Sequence, residues 1–157
     1  DSRCRLYWAV GTGGAAQTFT YTGSAGSFPA ITVYGFSGVA QSATFRDESG
    51  ATGEGVSTIQ AAAAVGANTD VIVSAVSYTL SRTWSVDLGF STPFVQDYSA
   101  GVNFGIVSAY LIATGSANPT WTPNVATTMA TRIAALKEAA AGGGATRPGY
   151  FPLMGVQ

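Results

Sequence analysis

Histidine is absent from the sequence, cysteine occurs once, and charged residues make up only 10% of the chain. Without histidine the chain cannot build a Ser-His-Asp triad, a Cys-His pair or a histidine-ligated metal site. The most frequent general base of enzymes is missing for the same reason. Cys4 has no second cysteine to pair with inside the chain, so we expect a buried thiol, with an intermolecular disulfide as the alternative.

The small proportion of charged residues also limits the kinds of partner that the protein can bind and indicates where the protein is located. A soluble domain usually carries about 25% charged residues, whereas here 46% of the residues are hydrophobic and the net charge is −1. The seven basic residues are spread along the chain, which argues against nucleic-acid binding. No run of about 18 apolar residues is present that would cross a bilayer. The apolar residues therefore belong to a core or to contacts with other chains, as in an extracellular or assembled protein.

Glycine is frequent, with 20 residues, and it separates short segments rich in aromatic and β-branched side chains. Strict alternation at Gln17-Thr18-Phe19-Thr20-Tyr21-Thr22 is typical of a strand, and the Gly11-Thr12-Gly13-Gly14 segment predicts a hairpin turn between it and residues 5–10. A phosphate loop is not predicted there, because the required lysine and helix do not follow. The pattern predicts an all-β fold, an antiparallel β-sandwich of jelly-roll-like type, over residues 1–141.

The remaining segments complete this prediction. The apolar residues 70–77 and 103–113 are expected to pair as central strands, and residues 125–141 favour a strand, although a helix is the alternative. Pro93 places the strand candidate at 90–96 on an edge of a sheet. Further strands are expected at residues 30–37 and 83–86. The polar residues 38–55 are expected to form a long surface loop.

Five short segments carry a resemblance to a known kind of domain: Tyr7-Trp8-Ala9, Tyr34-Gly35-Phe36-Ser37-Gly38-Val39, Thr69-Asp70-Val71, Ala109-Tyr110-Leu111 and Asn118-Pro119-Thr120-Trp121. In this order they resemble an uncharacterised jelly-roll-like β-sandwich domain that recurs in phage and environmental bacterial surface proteins. The resemblance covers residues 5–137 and implies a fold, without catalytic residues. That domain usually has further strands before the first segment, which implies that this chain is trimmed or completes its sheet with a partner. An aromatic residue also often stands at the place of Leu136.

Carboxylates are the remaining candidates for catalysis or metal binding. Glycoside hydrolysis needs two of them, but no pair lies at alternating positions of one strand. Asp70 and Asp87 stand at predicted strand ends, where capping of turns is their usual role. Asp47, Glu48 and Glu54 do not follow the spacing of a calcium loop. No catalytic residue, metal ligand or cofactor site is therefore predicted.

Aromatic rings are the candidates for ligand binding. A sugar site would use exposed rings stacked on pyranose faces, and Trp84, Tyr98 and Trp121 are the predicted residues. Trp121 stands in a polar Asn-Pro-Thr-Trp-Thr-Pro context in which an exposed ring is plausible, although core or interface packing is the favoured role even for this residue. Trp8 lies in a predicted strand and is expected in the core.

The C-terminal residues 142–157 form a separate segment. Three consecutive glycines precede an apolar stretch that is too rich in proline and glycine for regular structure. We expect it to be an interaction arm that binds a partner subunit through Tyr150, Phe151, Leu153 and Met154. The alternative is that it folds back and covers an edge of its own sandwich.

Together these features predict a non-enzymatic structural module, most readily a phage virion component such as a capsid decoration or tail protein, located on a virion or cell surface. Its expected partners are copies of itself or other virion or surface subunits. The alternative is a carbohydrate-binding module of a secreted or cell-surface protein that binds glycans. Because the chain begins at Asp1 without methionine, we also expect a processed form or a part of a longer protein.

Overall fold

The computed structural model describes residues 3–10, 18–20, 22, 29–40, 44–80, 82–99, 102–140 and 150–156. Within these residues the structure contains ten strands and no helix: β1 Cys4–Val10, β2 Ile31–Val33, β3 Phe45–Val56, β4 Asn68–Tyr78, β5 Trp84–Val86, β6 Phe94–Ser99, β7 Val102–Thr114, β8 Trp121–Pro123, β9 Thr127–Leu136 and β10 Tyr150–Val156. They form antiparallel sheets of five, three and two strands. The predicted all-β class and antiparallel sandwich are confirmed.

The five-stranded sheet is the centre of the molecule, with the order β3-β9-β4-β7-β6. β4 and β7 pair from Val71↔Ile112 to Tyr78↔Gly105, as the sequence predicted for its two most apolar segments. β9 lies between β3 and β4, so the predicted strand in residues 125–141 is confirmed over ten residues. β6 is an edge strand and begins directly after Pro93, in agreement with the predicted edge.

Both faces of this sheet are covered, which explains the continuous apolar sequence of β4. Successive side chains of a strand point to opposite faces. Ile72 and Val76 therefore enter one hydrophobic cluster, while Val73 and Ala75 enter another. The first cluster lies under the β5-β8 pair and includes the fully buried Trp121. The second lies under β1, β2 and β10.

The prediction of a surface loop over residues 38–55 is wrong, because Phe45–Val56 forms β3. This strand is an edge of the five-stranded sheet and most of its side chains are exposed or half-buried, so its sequence lacks an apolar signal. Backbone pairing with β9 holds it in place instead, with register shifts at Phe45/Asp47 and Gly53/Val56. Such bulges are common on edge strands.

The predicted N-terminal hairpin is also wrong. β1 pairs with β10, at the other end of the chain, and the described residues 18–20 and 22 form no strand. The proposed turn, residues 11–14, lies outside the described residues. Alternation along residues 17–22 therefore did not predict a strand correctly at the described residues of that range.

The C-terminal residues were expected to be irregular, and the structure corrects this as well: Tyr150–Val156 form β10, the middle strand of the order β1-β10-β2. Proline in a middle strand normally interrupts the ladder. Here β2 pairs only with Leu153, Met154 and Gly155, so Pro152 lies beyond the part of β10 that is paired on both sides. This register accommodates the proline.

Candidate functional site

The groove between β1 and β2 is filled by the last strand of the chain. β10 pairs with β1 over seven residues, from Cys4↔Val156 to Val10↔Tyr150, and with β2 over three. β1 and β2 are not neighbours of each other in the sheet. The predicted arm residues Tyr150, Phe151, Leu153 and Met154 all belong to this strand, and the contacts of their side chains lie outside what the structure describes.

The two walls of this groove also form hydrogen bonds to the five-stranded sheet. On β1, the Cys4 thiol donates to the carbonyl oxygen of Ala75 on β4 at 3.7 Å. On β2, the buried Thr32 accepts a hydrogen bond from the hydroxyl of Ser108 on β7 at 3.0 Å. Tyr34, just after β2, shares a 3.0 Å hydrogen bond with the same Ser108 hydroxyl. These contacts hold β1 and β2 one strand apart.

The free edge at β6 presents apolar side chains to solvent. Phe94 is 53% exposed, Val95 39% and Tyr98 43%. Native monomers usually protect such edges with charge, proline or bulges. β6 has a bulge between Asp97 and Ser99, which leaves Phe94 to Asp97 as its regular part. Tyr98, a predicted sugar-binding residue, is thus exposed on this edge.

Trp121 lies in the core, as the favoured alternative predicted, and is not the exposed ring that a sugar site would require. The residue is 0% exposed and its indole Nε1 donates to the hydroxyl of Ser74 at 2.8 Å, so no face of the ring is available for stacking. The polar residues around it hide the fact that Trp121 begins β8. Trp8 was predicted to lie in the core, and this prediction is wrong because the residue is 44% exposed.

Trp84 is the remaining predicted ring, and it is half-buried. Its ring centroid lies 5.1 Å from that of Tyr78 and 6.4 Å from that of Trp121. Tyr98 belongs to a different sheet, so the structure does not join the predicted rings into one platform. Trp84 does line an open cleft of about 210 Å³ whose other residues are Thr83, Ser85, Thr122, Pro123 and Asn124.

Four of the acidic side chains hold local structure together. Asp70 is 1% exposed and forms a two-pronged ion pair with the guanidinium of Arg46. Three others accept hydrogen bonds: Asp97 from the Tyr78 hydroxyl at 2.7 Å, Asp87 from the Thr120 amide at 2.7 Å, and Asp47 from the Gly66 amide at 3.0 Å. No group of three potential metal ligands occurs within the described ranges.

Two buried groups are held in their protonated forms. Burial raises the pKa of the Cys4 thiol to about 12, against smaller opposing effects of the nearby Arg132 charge and backbone hydrogen bonds. The pKa of Tyr78 is also raised, mainly by burial and further by its hydrogen bond to Asp97. A thiolate is the nucleophilic form of cysteine, so Cys4 is an unreactive packing residue at neutral pH.

The structure brings together three arginines that looked scattered in the sequence. Arg3, Arg5 and Arg132 line one cleft where the N-terminal end of β1 passes the β3-β9 pair. No sequence pattern predicted this cluster, because Arg132 is far along the chain from Arg3 and Arg5 and only the packing of β1 against β9 brings them together. Searches found no protein-family model, curated protein or solved structure that matches this chain.

No helix among the described residues has the length and apolar character needed to cross a membrane.

Proposed function

We propose that this chain is a non-enzymatic structural module that joins copies of itself by exchanging strand β10, in a surface assembly such as a virion. The observation that carries the proposal is the place of β10 between β1 and β2. A middle strand supplied by the chain end can be supplied equally well by the end of a neighbouring copy. The resemblance to a domain of phage and bacterial surface proteins supports the surface setting.

Exchange of this strand preserves its hydrogen bonds. A donated β10 would meet the same β1 and β2 backbones in the same register, so the exchanged and closed forms have similar contact energies. The preceding Gly142-Gly143-Gly144 has no Cβ atoms and imposes little steric restriction on the path of the chain. The balance between the two forms then depends on protein concentration.

The rest of the surface is compatible with assembly. Phe94 and Val95 on the β6 edge, and Ile112 on β7, are exposed apolar residues in a chain with only 10% charge. An edge strand with unpaired backbone groups is a template for pairing with another chain. We propose that β6 contributes a second contact between subunits.

A disulfide trap tests the exchange directly. Ala9 and Phe151 are opposite each other in the β1-β10 register, and Ala9 is exposed. Opposed Cα atoms in an antiparallel pair lie about 4.5–5.5 Å apart, within the range of a disulfide. We expect the triple variant Cys4→Ala, Ala9→Cys, Phe151→Cys, oxidised at high concentration, to give covalent dimers and higher species on a non-reducing gel.

The matched control places the second thiol out of register. Gly155 pairs with Arg5 rather than with Ala9, so Cys4→Ala, Ala9→Cys, Gly155→Cys should form few cross-links of either kind. Covalent monomers alone at every concentration, together with a monomeric mass by light scattering, would show that β10 closes only its own chain and would refute the exchange.

Sugar binding at the Trp84 cleft is a second candidate, favoured by one half-buried indole among hydroxyl and amide side chains. Trp84→Phe keeps an aromatic ring against Tyr78 but shortens the platform, and Asn124→Ala removes a polar neighbour. If the cleft binds sugars, a glycan array should show binding by the wild type that weakens in both variants. An array without any binding would remove this candidate.

A further inference from the structure

A cleft with a volume of about 480 Å³ lies at the N-terminal end of β1. β1 forms one wall, and β3 and β9 form the other. Ligand sites commonly have volumes of about 300–1,000 Å³. The lining residues come from three separate parts of the chain: Arg3, Cys4 and Arg5, then Gly50, Ala51 and Thr52, then Ala130, Thr131 and Arg132.

Two of the three arginines that line this cleft have no ion pair with a described carboxylate. Arg3 and Arg132 are these two, and both are exposed. Arg5 donates to the Tyr7 hydroxyl at 3.3 Å. Three of the seven basic residues of the chain therefore line one concave surface.

Gly50 makes room for the Arg132 side chain. The two residues are opposite each other in the β3-β9 register. A Cβ atom at position 50 would lie 2.7 Å from Arg132 Cδ, so any larger residue would displace the arginine. Thr52 follows two residues later, on the same face by strand alternation, and presents an exposed hydroxyl. Thr131 does not contribute its hydroxyl, which donates to the Ala75 carbonyl oxygen at 3.0 Å.

We infer that this cleft binds a small polyanion, a ligand that carries two or more phosphate, sulfate or carboxylate groups. Guanidinium groups bind such oxyanions through paired hydrogen bonds in a fixed plane. The volume exceeds that of one inorganic ion, and the described lining residues include no aromatic ring on which a neutral sugar would stack. The inference depends on β1 and β9, and it does not require that β10 be exchanged between chains.

Calorimetric titration of the full chain at low salt tests the inference, with pyrophosphate, sulfate and citrate as probes and maltose as the uncharged comparison. We expect at least one polyanion to bind and maltose not to bind. Arg132→Gln should weaken the binding about tenfold or more, because one charge-assisted pair is lost. Thr52→Glu should abolish it by placing a carboxylate in the cleft. Rising sodium chloride concentration should weaken binding of the wild type.

Arg82→Gln is the matched control, since it removes the same charge from a residue outside the cleft, where Arg82 donates to the Val125 carbonyl oxygen. This variant should bind the probes with the affinity of the wild type. Glu48 stands two residues before Gly50 on the same strand face, so Glu48→Gln should bind more tightly. Absence of binding by all three probes, or equal weakening in Arg82→Gln and Arg132→Gln, would overturn the inference.

Discussion

The contact between Tyr78 and Asp97 depends on a residue without a side chain. Gly105 lies between β4 and β6, directly opposite Tyr78 in one register and opposite Asp97 in the other. A Cβ atom there would lie 2.5 Å from the Tyr78 hydroxyl and 2.6 Å from the carbonyl oxygen of Gln96. The hydroxyl crosses above β7 through the space that the glycine leaves.

We therefore expect Gly105→Ala to lower the free energy of unfolding by about 1–3 kcal/mol, the usual cost of overpacking. Tyr78→Phe alone should lower it by about 1–2 kcal/mol through the lost hydrogen bond to a carboxylate. In the double variant the contact with the hydroxyl is absent, whereas those with the Tyr78 ring carbon Cζ at 2.7 Å and the Gln96 carbonyl oxygen at 2.6 Å remain. Urea unfolding should therefore show a loss somewhat smaller than the sum of the two. Strict additivity would contradict this explanation of Gly105.

Cys4 gives a prediction about alkaline stability. The folded protein raises the thiol pKa from 9.0 to about 12, so the unfolded chain releases its proton first as the pH rises. The associated stability is complete below pH 9 and is lost between pH 9 and about 12. The loss amounts to about 4 kcal/mol at the upper end, at roughly 1.4 kcal/mol per pKa unit.

Urea unfolding of the wild type and Cys4→Ala at pH 8, 10 and 11 measures this loss. The wild type should lose stability faster than the variant over this range, because only the wild type carries the thiol. Parallel pH profiles for the two proteins would show that Cys4 is not buried as the structure places it.

The central placement of strand β7 can be tested with two isoleucines that lie on it. Ile106 and Ile112 lie on the same strand and, six residues apart, on the same face. Ile106 is fully buried in the second hydrophobic cluster, whereas Ile112 is 58% exposed beyond its cover. The difference between them is therefore one of tertiary burial and not of residue type or strand.

Ile106→Asp should lower the free energy of unfolding by about 4 kcal/mol or more, since it buries an unpaired carboxylate. Ile112→Asp should change it by about 0.5 kcal/mol or less, as is usual for surface positions. Thermal unfolding of both variants distinguishes them. Equal losses would show that the covering sheet extends further than β1, β2 and β10, and a stable Ile106→Asp would refute the central placement of β7.

The whole molecule consists of a five-stranded sheet with a separate cover on each face. The β5-β8 pair and nearby loops bury the first cluster with Trp121, and the β1-β10-β2 sheet buries the second with Cys4 and Val73. The second cover combines strands from both ends of the chain. Its integrity therefore depends on the last residues, whereas the first cover does not.

A truncation after residue 144 should open only one side of the molecule. Without β10, β1 loses its sheet partner, so the Cys4 thiol should react with a thiol reagent much faster than in the full chain, where it is buried. Hydrogen exchange of β8 and of β4 amides should remain slow. Addition of a synthetic peptide of residues 147–157 should slow the Cys4 reaction again.

Two results would contradict the prediction that loss of β10 opens only one side of the molecule. Unchanged Cys4 reactivity after truncation would show that β1 docks without β10. Loss of protection throughout the five-stranded sheet would show that the two covers are not independent. A scrambled peptide of the same composition is the control for the restored protection.

Part of the fold follows from residue patterns alone. Apolar residues 70–77 and 103–113 predicted the central pair, because strands buried on both faces are apolar without interruption. Pro93 predicted an edge because it cannot donate to a ladder. The polar strand β3 escaped prediction, since an exposed edge held by backbone hydrogen bonds needs no apolar side chains. The candidate role of Trp121 as an exposed sugar-binding ring failed, because a polar neighbourhood along the chain says little about burial in space.

Composition by itself determined the chemistry that the chain lacks: without histidine or a second cysteine, no fold could supply a histidine-based site or an internal disulfide. Tertiary structure alone decided the partner of β1, since pairing between the two chain ends leaves no local signal in either segment. It also decided the arginine cleft, where residues 3, 5 and 132 meet across packed sheets. Local sequence specifies strand tendency, whereas long-range backbone pairing and packing specify which side chains share a surface.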